Sequence, residues 1–160
     1  MADKIVYTKE QLLALLPHRD PFQFVDYVSA FRQDSMIETK LHLRGDEDFF
    51  KGHFPGNPVM PGVLVTDGLA QTCGLLYGFS KQERLNAAGE EPTPPELFFL
   101  AAANIKFVKP AFPSETITMT AYAETVYSNL YTYKVEAISG RKMIVKGSLT
   151  LALVAPGQSA

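Results

Sequence analysis

The chain has 160 residues, of which 46% are hydrophobic and 20% are charged, with a formal net charge of −2. This length is typical of one domain with a substantial buried core. The nearly balanced charge gives no general attraction to nucleic acid. The single cysteine, Cys73, excludes an internal disulfide, and its apolar helical surroundings are typical of a packed core residue.

The first third of the chain predicts one short helix and two strands. Residues 8–16 form an amphipathic helical pattern that Pro17 ends. A turn bracketed by two prolines then leads into a strand predicted over residues 22–31. Residues 35–44 alternate apolar and polar side chains, which indicates a second strand with His42 on its polar face.

The most unusual stretch is residues 52–71, GHFPGNPVMPGVLVTDGLAQ. Its first half is rich in proline and glycine, which indicates a rigid loop, because proline fixes φ and glycine permits conformations closed to other residues. Pro61 and Gly62 then open a helix predicted to run to about Gln82, apolar nearly all round and therefore buried on most sides. Glycines inside this helix indicate that a neighbouring element, expected to be a sheet, comes close to the helix axis.

The remaining chain predicts a polar excursion and four strands. Residues 81–96 are polar and proline-rich, as in an exposed excursion. The strands are predicted over residues 97–108, 115–126, 130–138 and 141–154, and two-residue turns at Ser128-Asn129 and Ser139-Gly140 join the last three into an antiparallel meander. These elements favour an antiparallel sheet wrapped around one hydrophobic helix. Residues 1–155 are expected to form this single domain, and residues 156–160 a disordered tail.

The sequence also predicts where the protein resides. Its N-terminal residues lack the apolar run of a secretory signal. Residues 59–79 have the length of a membrane span, but they contain Pro61, Asp67, Gln71 and four glycines. We therefore expect a soluble, cytoplasmic protein without a membrane span and without a nucleic-acid partner.

His53 and Asp67 are the candidate acid–base groups, one in the stiff loop and one in the apolar helix. Histidine titrates near neutrality and suits a base, whereas aspartate serves as an acid only if its pKa rises well above its reference value. Burial among neighbours such as Val63 and Leu64 is expected to raise the pKa of Asp67. Gln71, one helical turn later, can orient the carboxyl group. The histidines are scattered without metal-ligand spacing, so neither a metal nor a cofactor is expected.

The stretches LLPHRDPFQFVD, FFKGHFPGNPVMPGVLVTDGLAQ and IKFVKPAFPSET together resemble the FabA/FabZ-type 3-hydroxyacyl-[acyl-carrier-protein] dehydratases. The resemblance implies an α+β hotdog fold, in which a curved antiparallel sheet of about six strands wraps one long central helix. It also implies an obligate dimer with shared active sites. The FabZ branch carries glutamate at the position of Asp67 and the FabA branch aspartate, so the chain combines features of both branches.

By this resemblance, the chain is expected to dehydrate (3R)-hydroxyacyl-[acyl-carrier protein] to the trans-2-enoyl product, in the synthesis of fatty acids or of specialised polyene- or polyketide-like chains. His53 would act as the base and the partner subunit's Asp67 as the acid. The N–H group of Gly62 would donate to the thioester oxygen, Gln71 would orient the acid or a water molecule, and Gly56 would let the loop approach the substrate closely.

The expected partners are an acyl carrier protein and a second copy of the chain. Because carrier proteins are acidic, Arg19, Lys51, Lys106 and Lys109 are candidate contacts. A homodimer is expected, with a trimer of dimers and a heterodimer with another hotdog chain left open. Two other functions also remain open: an acyl thioesterase that uses the helix carboxylate and water, and a non-catalytic subunit of a heterodimeric dehydratase.

Overall fold

The computed structural model describes residues 3–154, so the tail expected at residues 156–160 lies outside the described residues. Within the described range, the chain forms one six-stranded antiparallel sheet and three helices. In chain order the elements are α1 (Lys9–Leu13), β1 (Tyr27–Arg32), β2 (Met36–His42), α2 (Phe49–Gly52), α3 (Gly62–Ala88), β3 (Phe98–Phe107), β4 (Thr116–Tyr127), β5 (Leu130–Ser139) and β6 (Lys142–Leu153).

The sheet has the strand order β1-β2-β4-β5-β6-β3, with every neighbouring pair antiparallel. The predicted meander is confirmed as β4, β5 and β6, although its second turn lies one residue later than expected, because Ser139 pairs with Lys142. The alternation predicted for β2 is also confirmed, since Ile37, Thr39 and Leu41 are all buried. β1 and β3 form the two edges, and β3 pairs with β6 alone.

α3 lies across the concave face of the sheet and supplies the centre of the hydrophobic core, which confirms the hotdog architecture. Its buried side chains include Leu69, Leu76 and Phe79, and Cys73 is completely buried as predicted. Burial raises the pKa of the Cys73 thiol. Among the described helices, none combines the length and the apolarity that crossing a bilayer requires.

Three predicted boundaries are wrong. α1 ends at Leu13, three residues before the predicted end at residue 16, because the next residues form a turn that leads into Pro17. α3 continues six residues beyond Gln82 to Ala88, where Gly89 adopts a left-handed φ of 69°. The residues between these points are good helix formers, so their polarity indicated exposure rather than the end of the helix. The first strand begins at Tyr27 instead of residue 22, because backbone groups of Phe22 and Phe24 bond to a side chain of α3 rather than to a neighbouring strand.

The glycines of α3 have different surroundings. A Cβ atom at Gly68 would lie 2.9 Å from Met119 Sδ on β4, so the sheet does approach the helix closely at this point. At Gly78 the neighbour is Leu15, which follows α1, at 3.3 Å. A Cβ atom at Gly74 would meet nothing within 4 Å. The expected close approach of a sheet therefore explains Gly68 and not the other two.

Candidate active site

The loop between α2 and α3 is held by its own backbone hydrogen bonds. Phe54 and Asn57 exchange two of them, at 3.0 and 2.9 Å, and Val59 N donates to His53 O at 2.8 Å. Gly56, at the tip of this turn, has a φ of 72°, a conformation that strongly favours glycine. A Cβ atom there would meet no atom within 4 Å. The turn conformation therefore explains Gly56, and its close approach to a substrate stays a prediction.

The imidazole of His53 is fixed by one hydrogen bond, since Nδ1 lies 2.7 Å from Val59 O. A carbonyl oxygen only accepts, so Nδ1 must carry the proton. In the neutral ring Nε2 then holds the free lone pair. The ring also stacks on Phe54 at a centroid distance of 4.0 Å. His53 is therefore held as the tautomer that can accept a proton at Nε2.

Gly62 begins α3 beside His53. The two residues line one cavity of about 410 Å³, together with Val63, Phe107 and Lys109. The first N–H groups of a helix have no partner within the helix, and the helix dipole favours negative charge there. Among the hydrogen bonds of the described residues, none uses the Gly62 N–H. A Cβ atom at Gly62 would lie 2.7 Å from the Phe107 ring, so a glycine is needed for packing as well.

The carboxyl group of Asp67 is oriented by Gln71, whose Nε2 donates to Asp67 Oδ2 at 2.8 Å. Gln71 is itself buried and fixed, because Nε2 also donates to Phe22 O and Oε1 accepts from Phe24 N, both at 2.9 Å. The expected burial of Asp67 is only partial in a single chain: Asp67 is half-buried, and its neighbour Val63 is 69% exposed.

Asp67 lines a different cavity from His53. This second cavity, of about 70 Å³, also contacts Gln71, His18 and Pro17. His53 and Gly62 are thus brought together on one side, and Asp67 and Gln71 on another. His18, which also lines the cavity of Asp67, was not among the residues predicted for the site. Its Nδ1 atom is buried without a hydrogen-bond partner among the described residues. The only signal in the sequence was that His18 belongs to the PHRDPF turn.

The edge strand β3 contributes side chains to both cavities and is itself poorly covered. Its residues 99–104 are exposed, and among the described strands its backbone pairs with β6 on one side and with none on the other. Large apolar side chains along and beside it are between 40% and 54% exposed, namely Leu97, Phe99, Leu100, Phe107 and Val108. A long apolar edge of this kind is a site for pairing with another chain.

The four basic residues proposed as carrier contacts differ in their present partners. Arg19 donates to the carbonyl oxygens of Leu13, Leu16 and His18, and Lys51 pairs with Asp48 at 2.9 Å. Neither Lys106 nor Lys109 forms a salt bridge with any described residue. Lys109 lies at the cavity of His53.

These features define a hotdog-fold protein whose candidate site residues, His53 and Asp67, line cavities beside the edge strand β3. The same fold is found in the dehydratase heterocomplex ApeI:P from Xenorhabdus doucetiae, with a TM-score of 0.74 and 17% identity over 91% of each chain. It is also found in the fluoroacetyl-CoA thioesterase FlK, with a TM-score of 0.56 and 17% identity over 78% of this chain and 89% of that chain.

Sequence comparison assigns the family. The family model of the FabA-like domain matches residues 16–148, and the chain belongs to this family. The chain is 33% identical to the 3-hydroxyacyl-[acyl-carrier-protein] dehydratase FabZ of Polynucleobacter necessarius over 98% of this chain and 99% of that protein. It is also 33% identical to the FabZ dehydratase of Caulobacter vibrioides, over 94% of this chain and 90% of that protein.

Proposed function

We propose that this chain dehydrates a (3R)-hydroxyacyl thioester carried on an acyl carrier protein and releases the trans-2-enoyl thioester, in the synthesis of fatty acids or of related specialised chains. The observation that carries this proposal is the 33% identity to a FabZ dehydratase over almost the full length of both chains. Similar folds serve both dehydratases and thioesterases, so the fold alone does not select the reaction.

The side-chain chemistry of His53 and Asp67 suits this elimination. His53 Nε2 takes the proton from C2, the electron pair forms the C2–C3 double bond, and the C3–O bond breaks. Asp67, in its protonated form, gives its proton to the departing hydroxyl, which leaves as water. The N–H group of Gly62 donates to the thioester oxygen, where negative charge develops. Both side chains return to their starting states by exchanging protons with solvent.

A complete site requires two copies of the chain in this proposal. His53 with Gly62, and Asp67 with Gln71, line separate cavities of one chain. Antiparallel pairing of β3 with the β3 of a second copy would cover the exposed apolar edge. It would also bring His53 of one chain towards the partner subunit's Asp67. The homodimer therefore accounts for both the uncovered strand and the divided site.

Lys106 and Lys109 are the better candidates for binding an acidic carrier protein. Neither is engaged in a salt bridge among the described residues, and Lys109 lies beside the cavity of His53. Lys106 lies near Lys134 and Lys146 on the outer face of the sheet. Arg19 and Lys51 would first have to give up their present partners.

The direct test is hydration of a carrier-bound trans-2-enoyl thioester, followed by loss of its absorbance. His53→Ala and Asp67→Asn should each lower kcat by at least about a hundredfold, the range for general acid–base groups. His42→Ala is the matched control, because His42 is exposed and bonds only to Thr116 through its ring.

The alternatives give different results. Release of free thiol, lost in Asp67→Asn, would indicate a thioesterase instead. Acyl-carrier binding without hydration or thiol release would indicate a non-catalytic subunit. Full rates in both variants would contradict the assigned roles of His53 and Asp67. They would not contradict the proposed reaction.

A further inference from the structure

The ring of Phe107, at the end of the edge strand β3, lies directly against the start of α3. A Cβ atom at Gly62 would lie 2.7 Å from both Cδ1 and Cε1 of this ring. One edge of the ring therefore occupies the space that any other residue at position 62 would need for its side chain. Phe107 is 54% exposed in one chain, so packing in the core of that chain does not account for an aromatic residue here.

Backbone hydrogen bonds hold the end of β3 and the start of α3 in this relation. Met60 N donates to Ala111 O at 2.9 Å, which joins the loop before α3 to the segment after β3. Val108 N, next to Phe107, donates to Ile144 O on β6 at 2.8 Å. The backbone on both sides of the contact is thus fixed, so the ring and the first turn of α3 keep their relative positions.

The cavity that Gly62 and Phe107 share is apolar around the helix start. Apart from His53, Gly62 and Lys109, every residue that lines it has an apolar side chain. Water that reaches a helix N-terminus bonds to the free N–H groups and competes with any other acceptor. A hydrogen bond is stronger where the local dielectric constant is low, and fixed donors stabilise developing charge best where water is excluded.

We propose that Phe107 is a positioning residue of the elimination, whose ring shields the Gly62 N–H from water and keeps it available to the thioester oxygen. This inference rests on the proposed function, which assigns that N–H as the donor to that oxygen. When the C2 proton leaves, negative charge moves onto the oxygen and meets a donor that no water occupies. When the C3–O bond breaks, the electron pair forms the C2–C3 double bond. Phe107 itself neither gives nor takes a proton.

The first test is hydration of a carrier-bound trans-2-enoyl thioester by Phe107→Ala. We expect kcat to fall at least about tenfold with little change in KM, because the donor acts most strongly on charge that develops in the transition state. Phe107→Tyr keeps the ring edge and should restore most of the rate. Phe112→Ala is the matched control, since Phe112 is 39% exposed and lies outside the cavity.

A series of protein concentrations separates this effect from dimer formation, because Phe107 also lies on the exposed edge of β3. A loss of rate caused by a weaker dimer disappears as the protein concentration rises. A loss caused by a hydrated N–H group stays the same at every concentration.

Combining Phe107→Ala with Gly62→Ala tests the contact itself. In the wild-type background the new Cβ atom displaces the ring, so Gly62→Ala should also lower kcat about tenfold. In Phe107→Ala the collision is absent, and adding Gly62→Ala should change kcat little. The double variant should therefore lose about tenfold, whereas two independent effects would multiply to about a hundredfold.

Infrared spectroscopy of a bound 2-enoyl thioester with an isotope-labelled carbonyl measures the hydrogen bond directly. The Asp67→Asn background is used, because the bound compound is not consumed there. The donor lowers the carbonyl stretching frequency relative to the free thioester. Phe107→Ala should reduce this shift, and Phe112→Ala should leave it unchanged.

The outcomes distinguish this inference from the proposed function. A concentration-independent fall in kcat that Phe107→Tyr restores, with non-additive losses and a reduced infrared shift, supports Phe107 as a positioning residue. An active wild-type enzyme overturns this inference alone if Phe107→Ala keeps the full kcat, if the loss disappears at high protein concentration, or if the two losses multiply. A wild-type protein that hydrates no 2-enoyl chain overturns the proposed function and this inference with it.

Discussion

Gln71 is the residue on which the position of Asp67 depends. Its amide bonds to Asp67, to Phe22 O and to Phe24 N, all from a buried position. In Gln71→Leu the buried N–H of Phe24 and the partly buried carbonyl of Phe22 lose their hydrogen-bond partner. We expect the free energy of unfolding to fall by about 2 kcal/mol, and kcat to fall with little change in KM, because the carboxyl group is no longer oriented.

Urea unfolding at one fixed protein concentration measures the change in stability. Hydration kinetics measure the changes in kcat and KM. Gln33→Leu is the control, since Gln33 is exposed and its amide contacts only Asp34. Loss of stability with an unchanged kcat would show that Gln71 serves the fold and not the position of Asp67.

For individual residues, the sequence predicted the chemistry of a side chain better than it predicted the hydrogen-bond partner of that side chain. The i to i+4 spacing of Asp67 and Gln71 fixes a common helix face, so their contact could be expected. The partner of His53 is the backbone carbonyl of Val59, and every residue type supplies such a carbonyl. The unpaired Nδ1 of His18 likewise depends on how a turn folds against α3. No residue type in the sequence marks either feature.

Among the secondary-structure elements, β3 depends on one glycine of the neighbouring strand. Gly147 has a φ of 153°, and a Cβ atom there would lie 2.0 Å from Asn104 O on β3. A side chain would therefore push β3 away from β6, the strand that pairs with it in the described sheet. We expect Gly147→Ala to lower the free energy of unfolding by at least about 3 kcal/mol and to weaken dimer formation.

Gly140→Ala separates backbone strain from this collision. Gly140 also has a positive φ, 59°, but a Cβ atom there would meet nothing within 4 Å. Gly140→Ala should therefore lower the free energy of unfolding by about 1 kcal/mol, from backbone strain alone. Equal losses in the two variants, measured by denaturant unfolding, would contradict the collision with Asn104.

The local sequence pattern predicted which helices and strands exist better than it predicted where they begin and end. Hydrophobic alternation predicted β2 and the meander because one face of each strand must be buried. The end of α3 was missed because an exposed helical turn and an exposed loop have similar compositions, and only Gly89 marked the stop. The start of β1 was missed because residues 22–24 bond to Gln71, a contact across 47 and 49 positions of the chain.

For the whole molecule, the exposed edge of β3 and the divided site point to the same assembly. Periodicity in the sequence indicated a sheet around a helix and no more. The dimer was predicted from the resemblance to the dehydratase family, because the side-chain pattern of one strand does not show whether its open edge faces water or another chain. The exposed Phe99, Leu100 and Phe107 now give the proposed interface a physical basis.

Mixing two inactive variants tests whether the site is shared. His53→Ala and Asp67→Asn chains, mixed in equal amounts and allowed to exchange subunits, form heterodimers in which one site carries both substitutions and the other carries neither. Half of randomly formed dimers are of this kind, so the mixture should recover about a quarter of the wild-type rate per chain. Each variant treated alone in the same way is the control. If His53 and Asp67 of one chain formed a site together, every site in the mixture would carry a substitution, and the mixture would be as inactive as its components.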